Sequence, residues 1–208
     1  MDIVVSTAYF PPISYFIFFA KSGKVFIEQM ETFPKQTYRN RCEILTAAGK
    51  IKLVVPVSKP MGNHTLTKEI IISYRENWPL HQWKSIQAAY RSSPYFNYYE
   101  DVIRPLFEMN EHRLVDHNHK ILNVLLKILG LNPEIEFTSD YFHQPEGLTD
   151  LRHTISGKKK SPGNDLLPYP QVFNHKTGFI PDLSILDLLF NLGNEAKAYL
   201  EKCDYPLH

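Results

Sequence analysis

The chain begins with an apolar, β-branched run, Ile3 to Val5, that ends in the turn Ser6-Thr7-Ala8-Tyr9-Phe10-Pro11-Pro12. A short run of this kind, stopped by turn residues, predicts a buried strand. Ile13, Phe16, Ile17 and Ala20 then recur at helical spacing up to Lys21, and Gly23 closes the stretch. Val25-Phe26-Ile27 is apolar again and predicts a second strand. Strand, tight loop, helix and strand within about 30 residues is the pattern of a parallel βαβ unit.

A polar, basic stretch from Phe33 to Arg41 leads into strand candidates at Cys42 to Thr46 and Ile51 to Val57, joined by Ala48-Gly49-Lys50. Thr67 to Ser73 adds another short strand. From Pro79 the period changes: Trp83, Ile86, Ala89 and Tyr90 share a helical face that Ser92-Ser93-Pro94 stops. Tyr95 to Phe107 predicts a helix broken near Pro105. Asp116 to Leu129 has the strongest stripe, Leu122, Leu125, Leu126 and Leu129, and ends at Gly130. Ile135 to Thr138 predicts a strand. Gly147 to Asp165, with Lys158 to Lys160, is turn-rich and predicts a mobile loop. Ser184, with Asp187 three residues on, has capping-box spacing for a last helix through Ile185, Leu188, Leu189 and Leu192. The expected fold is α/β: a largely parallel, Rossmann-like sheet flanked by helices, with added antiparallel strands and a helical C-terminal part. One domain spans 1–208: 1–75 is mainly strands and holds the site, 78–130 is helical, and 131–208 carries a strand, the loop 147–165 and the terminal helix.

Composition narrows the classes. At 43% hydrophobic and 22% charged residues, the chain is suited to a packed core rather than disorder. A formal net charge of +1 argues against a dedicated nucleic-acid binder, so none is expected as partner. Cys42 and Cys203 form no metal or disulfide pattern, and both read as reduced thiols. The apolar N-terminal stretch is interrupted by Pro11 and Pro12, which suits neither a signal peptide nor a membrane span, so a cytoplasmic location is expected.

The candidate chemistry gathers in the first half of the chain. The turn with Tyr9 and Pro12 follows the first strand, where ligands of open α/β sheets lie. It lacks the glycine fingerprints of dinucleotide and P-loop sites. Arg39-Asn40-Arg41 places two guanidinium groups close together. In a strand both would share one face and grip one anion, with Lys35 and Tyr38 extending the site. Glu28, directly after the second strand, is a candidate proton acceptor with Glu31 nearby. His81, beside Trp78 and Trp83, is a second candidate for proton transfer. His117-x-His119 is a poor metal pair on a helix, since i and i+2 diverge, and no metal is assigned. The sequence names no cofactor and no oligomeric state.

Four segments resemble the WbqC-like protein family. They are Tyr9-Phe10-Pro11-Pro12 with Tyr15-Phe16, Tyr38 to Arg41, Trp78 and His81 through Trp83, Ile86 and Tyr90 to Phe96, and Asn174 to Gly193. The last is the most specific. The resemblance implies a role in surface-polysaccharide biosynthesis: a transferase that modifies a nucleotide-linked amino sugar by acyl or aminoacyl transfer. The resemblance carries over no catalytic set; the reading of the residues gives Tyr9, Pro12, Tyr15, Lys35, Tyr38, Arg39, Asn40, Arg41 and Tyr90 as candidate binding residues for a nucleotide sugar or other anionic small molecule, with Glu28 and His81 as catalytic candidates. The alternative is a non-enzymatic binding or scaffold protein of a cell-envelope pathway, presenting the helices from Trp83 and Ser184 to partners. Thr7 and Ser14 stand where relatives often have Gln and Gly, and the Gly147 to Asp165 segment is shorter than theirs.

Overall fold

A computed structural model of the chain describes residues 1–143, 145, 147–155 and 166–203. β1 (Ile3–Ser6), α1 (Ile13–Lys21) and β2 (Lys24–Glu28) form the expected βαβ unit, with Ile3 opposite Val25 and Ser6 opposite Glu28 in parallel register. Alternation along these strands separates two faces. Ile3, Val5, Val25 and Ile27 enter the main hydrophobic core, whereas Ser6 and Glu28 point the other way.

A hairpin of β3 (Arg41–Thr46) and β4 (Gly49–Val54) follows, then a short antiparallel pair, β5 (Val57–Ser58) and β6 (Ile71–Ile72). Four helical segments come next: α2 (Trp78–Tyr90), α3 (Phe96–Ile103), a 3-10 turn (Arg104–Phe107) and α4 (Leu114–Leu129). β7 (Glu134–Phe137) and β8 (Thr149–Asp150) complete a parallel sheet in the order β7-β2-β1-β8. The chain ends its described part with α5 (Asn174–Thr177), α6 (Ile185–Leu192) and α7 (Ala196–Lys202). The fold is thus α/β: a four-stranded parallel sheet flanked by helices, with antiparallel pairs and C-terminal helices. Among the described residues no helix is long and apolar enough to cross a membrane.

Three local expectations meet different outcomes. Tyr38–Asn40 is a 3-10 turn rather than a strand, so the two arginines are not placed two apart on one pleated face. The helix after Tyr95 breaks near Pro105 as expected, yielding at Arg104 to a 3-10 turn, since the proline ring cannot continue the ladder. The basic run Lys158 to Lys160 and most of the loop placed at 147–165 lie outside the described residues.

The apolar faces foreseen for α2 and α6 are buried inside the molecule. Trp83, Ile86 and Ala89 pack into the core, with Trp83 stacked on Phe96. Ile185, Leu188 and Leu189 are likewise buried. α4 buries its leucine stripe, and Gly130 ends it in the left-handed region at φ 63°, which a side chain would oppose.

The turn after β1 is clamped by the C-terminal segment. Ile13 donates its N–H to Leu183 O at 3.0 Å, and Ile185 donates to Pro11 O at 2.9 Å. Asp182 accepts from the Ser14 N–H at 2.8 Å and from Ser14 Oγ at 3.0 Å, which satisfies a first-turn donor of α1 that Pro12 cannot cap. Ser184 Oγ donates to Phe10 O at 3.0 Å, holding Phe10 at a positive φ of 37°.

Candidate functional site

In a parallel sheet the strand order decides where a ligand fits. The chain builds β1, β2 and β7 outward in one direction, then returns to add β8 on the far side of β1. The crevice of such a sheet lies outside the carboxyl ends of the strands flanking that reversal, here β1 and β8. The residues at these ends are polar and mostly buried.

Ser6 and Glu28 are the last register pair of β1 and β2. Ser6 Oγ donates to Glu31 Oε1 at 3.1 Å, and Arg39 Nε donates to the same oxygen at 2.9 Å. Arg39 Nη2 reaches both Glu31 Oε1 and Ser6 Oγ. Arg39 is only 3% exposed, so this pair stands in a low-dielectric setting. Asn118 of α4 fixes the backbone around it, donating to Arg39 O at 2.8 Å and Thr7 Oγ1 at 3.1 Å. Tyr15 donates its hydroxyl to Ser6 O at 3.0 Å.

The second half of the network centres on Glu28, which is wholly buried. Its Oε1 accepts from the Met30 N–H at 2.7 Å and from Thr138 Oγ1 at 2.9 Å. Its Oε2 accepts from Arg152 Nη1 at 3.1 Å and from the Phe142 N–H at 3.3 Å. Arg152 also grips Asp150 at the end of β8 in a two-point fork, Nε to Oδ1 at 2.9 Å and Nη2 to Oδ2 at 2.6 Å. Burial acts to raise the Asp150 carboxyl, but the guanidinium and N–H of Arg152 hold it below the usual carboxylate range. The Arg152 guanidinium lies 5.0 Å from the Tyr141 ring centroid.

These groups carry two positive charges, on Arg39 and Arg152, and three negative ones, on Glu28, Glu31 and Asp150. The cluster is therefore net negative by one. Arg41, at the first position of β3, is half-buried, and its Nε has no hydrogen-bond partner among the described residues.

The other sequence candidates fall into three settings. Tyr9 is fully buried: its hydroxyl donates to Gln82 Oε1 at 2.7 Å, its N–H donates to Tyr38 O at 2.9 Å, and its ring stacks on His117 at 5.8 Å. Burial pushes its phenol well above the ordinary value. Pro12 bridges to Ser184, and Asn40 donates to Val55 O at 2.9 Å, so both brace backbone. Tyr90 belongs to a separate polar centre in which Asp187 accepts from Tyr169 at 2.6 Å and Gln171 at 2.9 Å. Burial raises the Asp187 carboxyl despite those donors. Lys35 and His81 are exposed. Tyr38, Arg39 and Asn40 are buried, so this basic segment offers no open strip for a polyanion.

Sequence reasoning passed over Arg152, Asp150 and Asn118, and weighed His117 only as a metal ligand. Asp150 ends, and Arg152 follows, a two-residue strand with no apolar alternation, and the pairing of Arg152 with Glu28 joins positions more than a hundred apart. Asn118 and His117 were open to a helical-face reading of α4, because both fall beside its leucine stripe.

The chain belongs to the WbqC-like protein family, whose family model matches residues 7–161. The segment Asn174 to Gly193, which carries much of the resemblance, lies beyond the matched range; in this structure it is the part that clamps the turn after β1. The chain is similar, at 26% identity over 96% of its length and 97% of the relative's, to "Uncharacterized protein Rv1507c" of Mycobacterium tuberculosis. No solved structure gives a significant match.

Proposed function

We propose that this member of the WbqC-like family is a group transferase of surface-polysaccharide biosynthesis, acting on a nucleotide-linked amino sugar at the carboxyl edge of the parallel sheet. The observation that carries this reading is the Ser6–Glu28 register pair at the strand ends, joined in one network with two guanidinium groups and two further carboxylates, Glu31 and Asp150. A cluster with one net negative charge suits an amine and hydroxyl groups better than a bare anion. In acyl transfer the amine nitrogen attacks the donor's carbonyl carbon. A C–N bond forms, the bond from that carbon to the donor's leaving group breaks, and the nitrogen releases a proton. Glu28 is the acceptor this reading assigns, and its fixed hydrogen bonds would hold it in place without reorganisation. His81, exposed on α2, is given no part in that step.

The test is calorimetric titration of the intact chain with a UDP-linked sugar carrying a free amine and with its N-acetyl form. Saturable binding of the amine form is expected, roughly tenfold tighter than the N-acetyl form, since a charge-assisted hydrogen bond is at stake. Glu28→Gln should abolish that preference. No response to either ligand, or equal binding of both, removes the reading. A non-enzymatic, partner-binding role has one observation in its favour: Tyr98 and Val102, one helical turn apart on α3, are 68% and 46% exposed. Stoichiometric co-purification of a partner lost in Tyr98→Lys, with no nucleotide-sugar response, would favour it.

A further inference from the structure

A hollow of about 280 Å³ opens beyond the carboxyl ends of β2 and β7, lined by Gln29, Lys68, Arg113, Val115, Asp116 and Phe137. Gln29 directly follows Glu28, and Phe137 is the last residue of β7. Thr138 ties this hollow to the ion network: its Oγ1 donates to Glu28 Oε1 at 2.9 Å and accepts from the Gln29 N–H at 3.3 Å. The two regions are neighbours along one sheet edge.

The charges on the wall do not cancel. Asp116 neutralises Arg113 through contacts of 2.8 and 3.4 Å. Lys68 Nζ has no ion-pair or hydrogen-bond partner among the described residues, so its ammonium is the uncompensated charge. The first turn of α4 adds to the positive field. Val115 and Asp116 lie on the wall, and first-turn N–H groups have no acceptor within the helix.

We infer that this hollow is a phosphate subsite, taking a phosphoryl or pyrophosphoryl group with Lys68 as its cationic contact. Lysine binds phosphate as a point charge, whereas the Nε and Nη2 fork of Arg113 is already taken by Asp116. At about 280 Å³ the hollow is at the small end of ligand sites and has room for a phosphoryl or pyrophosphoryl group of a larger molecule. The assignment extends the proposed transferase reading. The diphosphate of the substrate rests here while its amino sugar reaches toward Glu28. Arg39, whose charge Glu31 already balances, is then not the phosphate holder.

Inorganic pyrophosphate titrated into the intact chain at low ionic strength tests the subsite, with binding followed by calorimetry. Saturable binding is expected, weakened about tenfold or more in Lys68→Ala and largely kept in Lys68→Arg, with the melting temperature of both variants unchanged. Absence of saturable binding, or Lys68→Ala binding like the parent, overturns the subsite. The same variants titrated with the UDP-linked amino sugar separate it from the transferase reading. Pyrophosphate binding that depends on Lys68, with no sugar-nucleotide binding by the parent, keeps the subsite and removes the reading. Sugar-nucleotide binding indifferent to Lys68→Ala does the reverse.

Discussion

His117 is a histidine that the fold can tolerate only as the neutral ring. It is 1% exposed, stacked on Tyr9 and edged by Trp78 at 6.0 Å, and neither ring nitrogen has a hydrogen-bond partner among the described residues. Burial lowers its pKa from 6.5 to about 4, with Glu111 opposing the shift and Lys120 adding to it. The folded value lies below the unfolded one, so the unfolded chain binds the proton first as pH falls. The contribution of the neutral ring is complete above about pH 6.5 and is lost progressively toward pH 4. The full drop amounts to about 3 kcal/mol, and about 2 kcal/mol of it is gone by pH 5. His117→Phe keeps a ring against Tyr9 and Trp78 and removes the titration. Urea unfolding of both chains, followed by tryptophan fluorescence at pH 7.5, 6 and 5, isolates the term, because every other titrating group is common to both. At pH 7.5 the two should agree within about 1 kcal/mol; by pH 5 the variant should have gained about 2 kcal/mol on the parent. A difference that stays constant from pH 7.5 to pH 5 would refute the reasoning.

Gly193 sits at φ 55° and ψ −125°, and a Cβ there would collide with the ring of Tyr95. Gly193→Ala should therefore cost about 3 kcal/mol or more in urea titration, and Tyr95→Ala in the same chain should recover part of it. Arg152→Ala strips the buried Glu28 of its counter-charge and should cost about 3–5 kcal/mol, whereas Arg152→Met with Glu28→Gln should cost clearly less; equal losses would argue against a coupled pair. Arg39→Ala likewise leaves Glu31 buried and should lower the melting temperature by several degrees, while Arg41→Ala, which breaks no ion pair among the described residues, should leave it nearly unchanged. Leu125→Ala opens a fully buried position on the α4 stripe and should cost about 2–5 kcal/mol at neutral pH.

What the sequence revealed depended on whether the signal was local. β1, α1 and β2 were legible almost to the residue because an apolar run, a helical period and a glycine stop each act within one element. α4 was legible for the same reason, its leucines lying on one stripe. β8 was not: two residues, Thr149 and Asp150, pair with Ile3 and Val4 without any apolar alternation of their own. The Tyr38–Asn40 turn was legible only as a polar, basic stretch, and the strand that would have aligned its arginines begins at Arg41. Ser184 does cap α6, through the Leu186 N–H at 3.4 Å, but Asp187 turns away from the capping role toward Tyr169 and Gln171. At the candidate site, Glu28 was singled out by its position at a strand end. Its partner Arg152 is 124 residues away, and no periodicity records such a pairing.

The cost of that pairing is the reason to look for chemistry there. Glu28 and Arg152 are 0% and 2% exposed, and removing two charges from water is repaid only when geometry and hydrogen bonding are both good. A leucine and a methionine of similar volume would commonly hold the strand ends as well or better. Parallel sheets normally bury their faces with apolar side chains, as Ile3, Val5, Val25 and Ile27 do on the core side. The opposite face departs from that rule at Ser6 and Glu28, the last step before the strands end, and Arg152, just past β8, ties that step to the strand across the reversal. A charged network that contributes little net stability, at the one edge where open α/β sheets receive ligands, has more to offer as a fixed set of donors and acceptors than as a fastening. Were it only a fastening, Arg152→Met with Glu28→Gln would make the chain easier to unfold and would leave amine binding untouched; under the proposed reading the fold survives and the preference for the amine is lost.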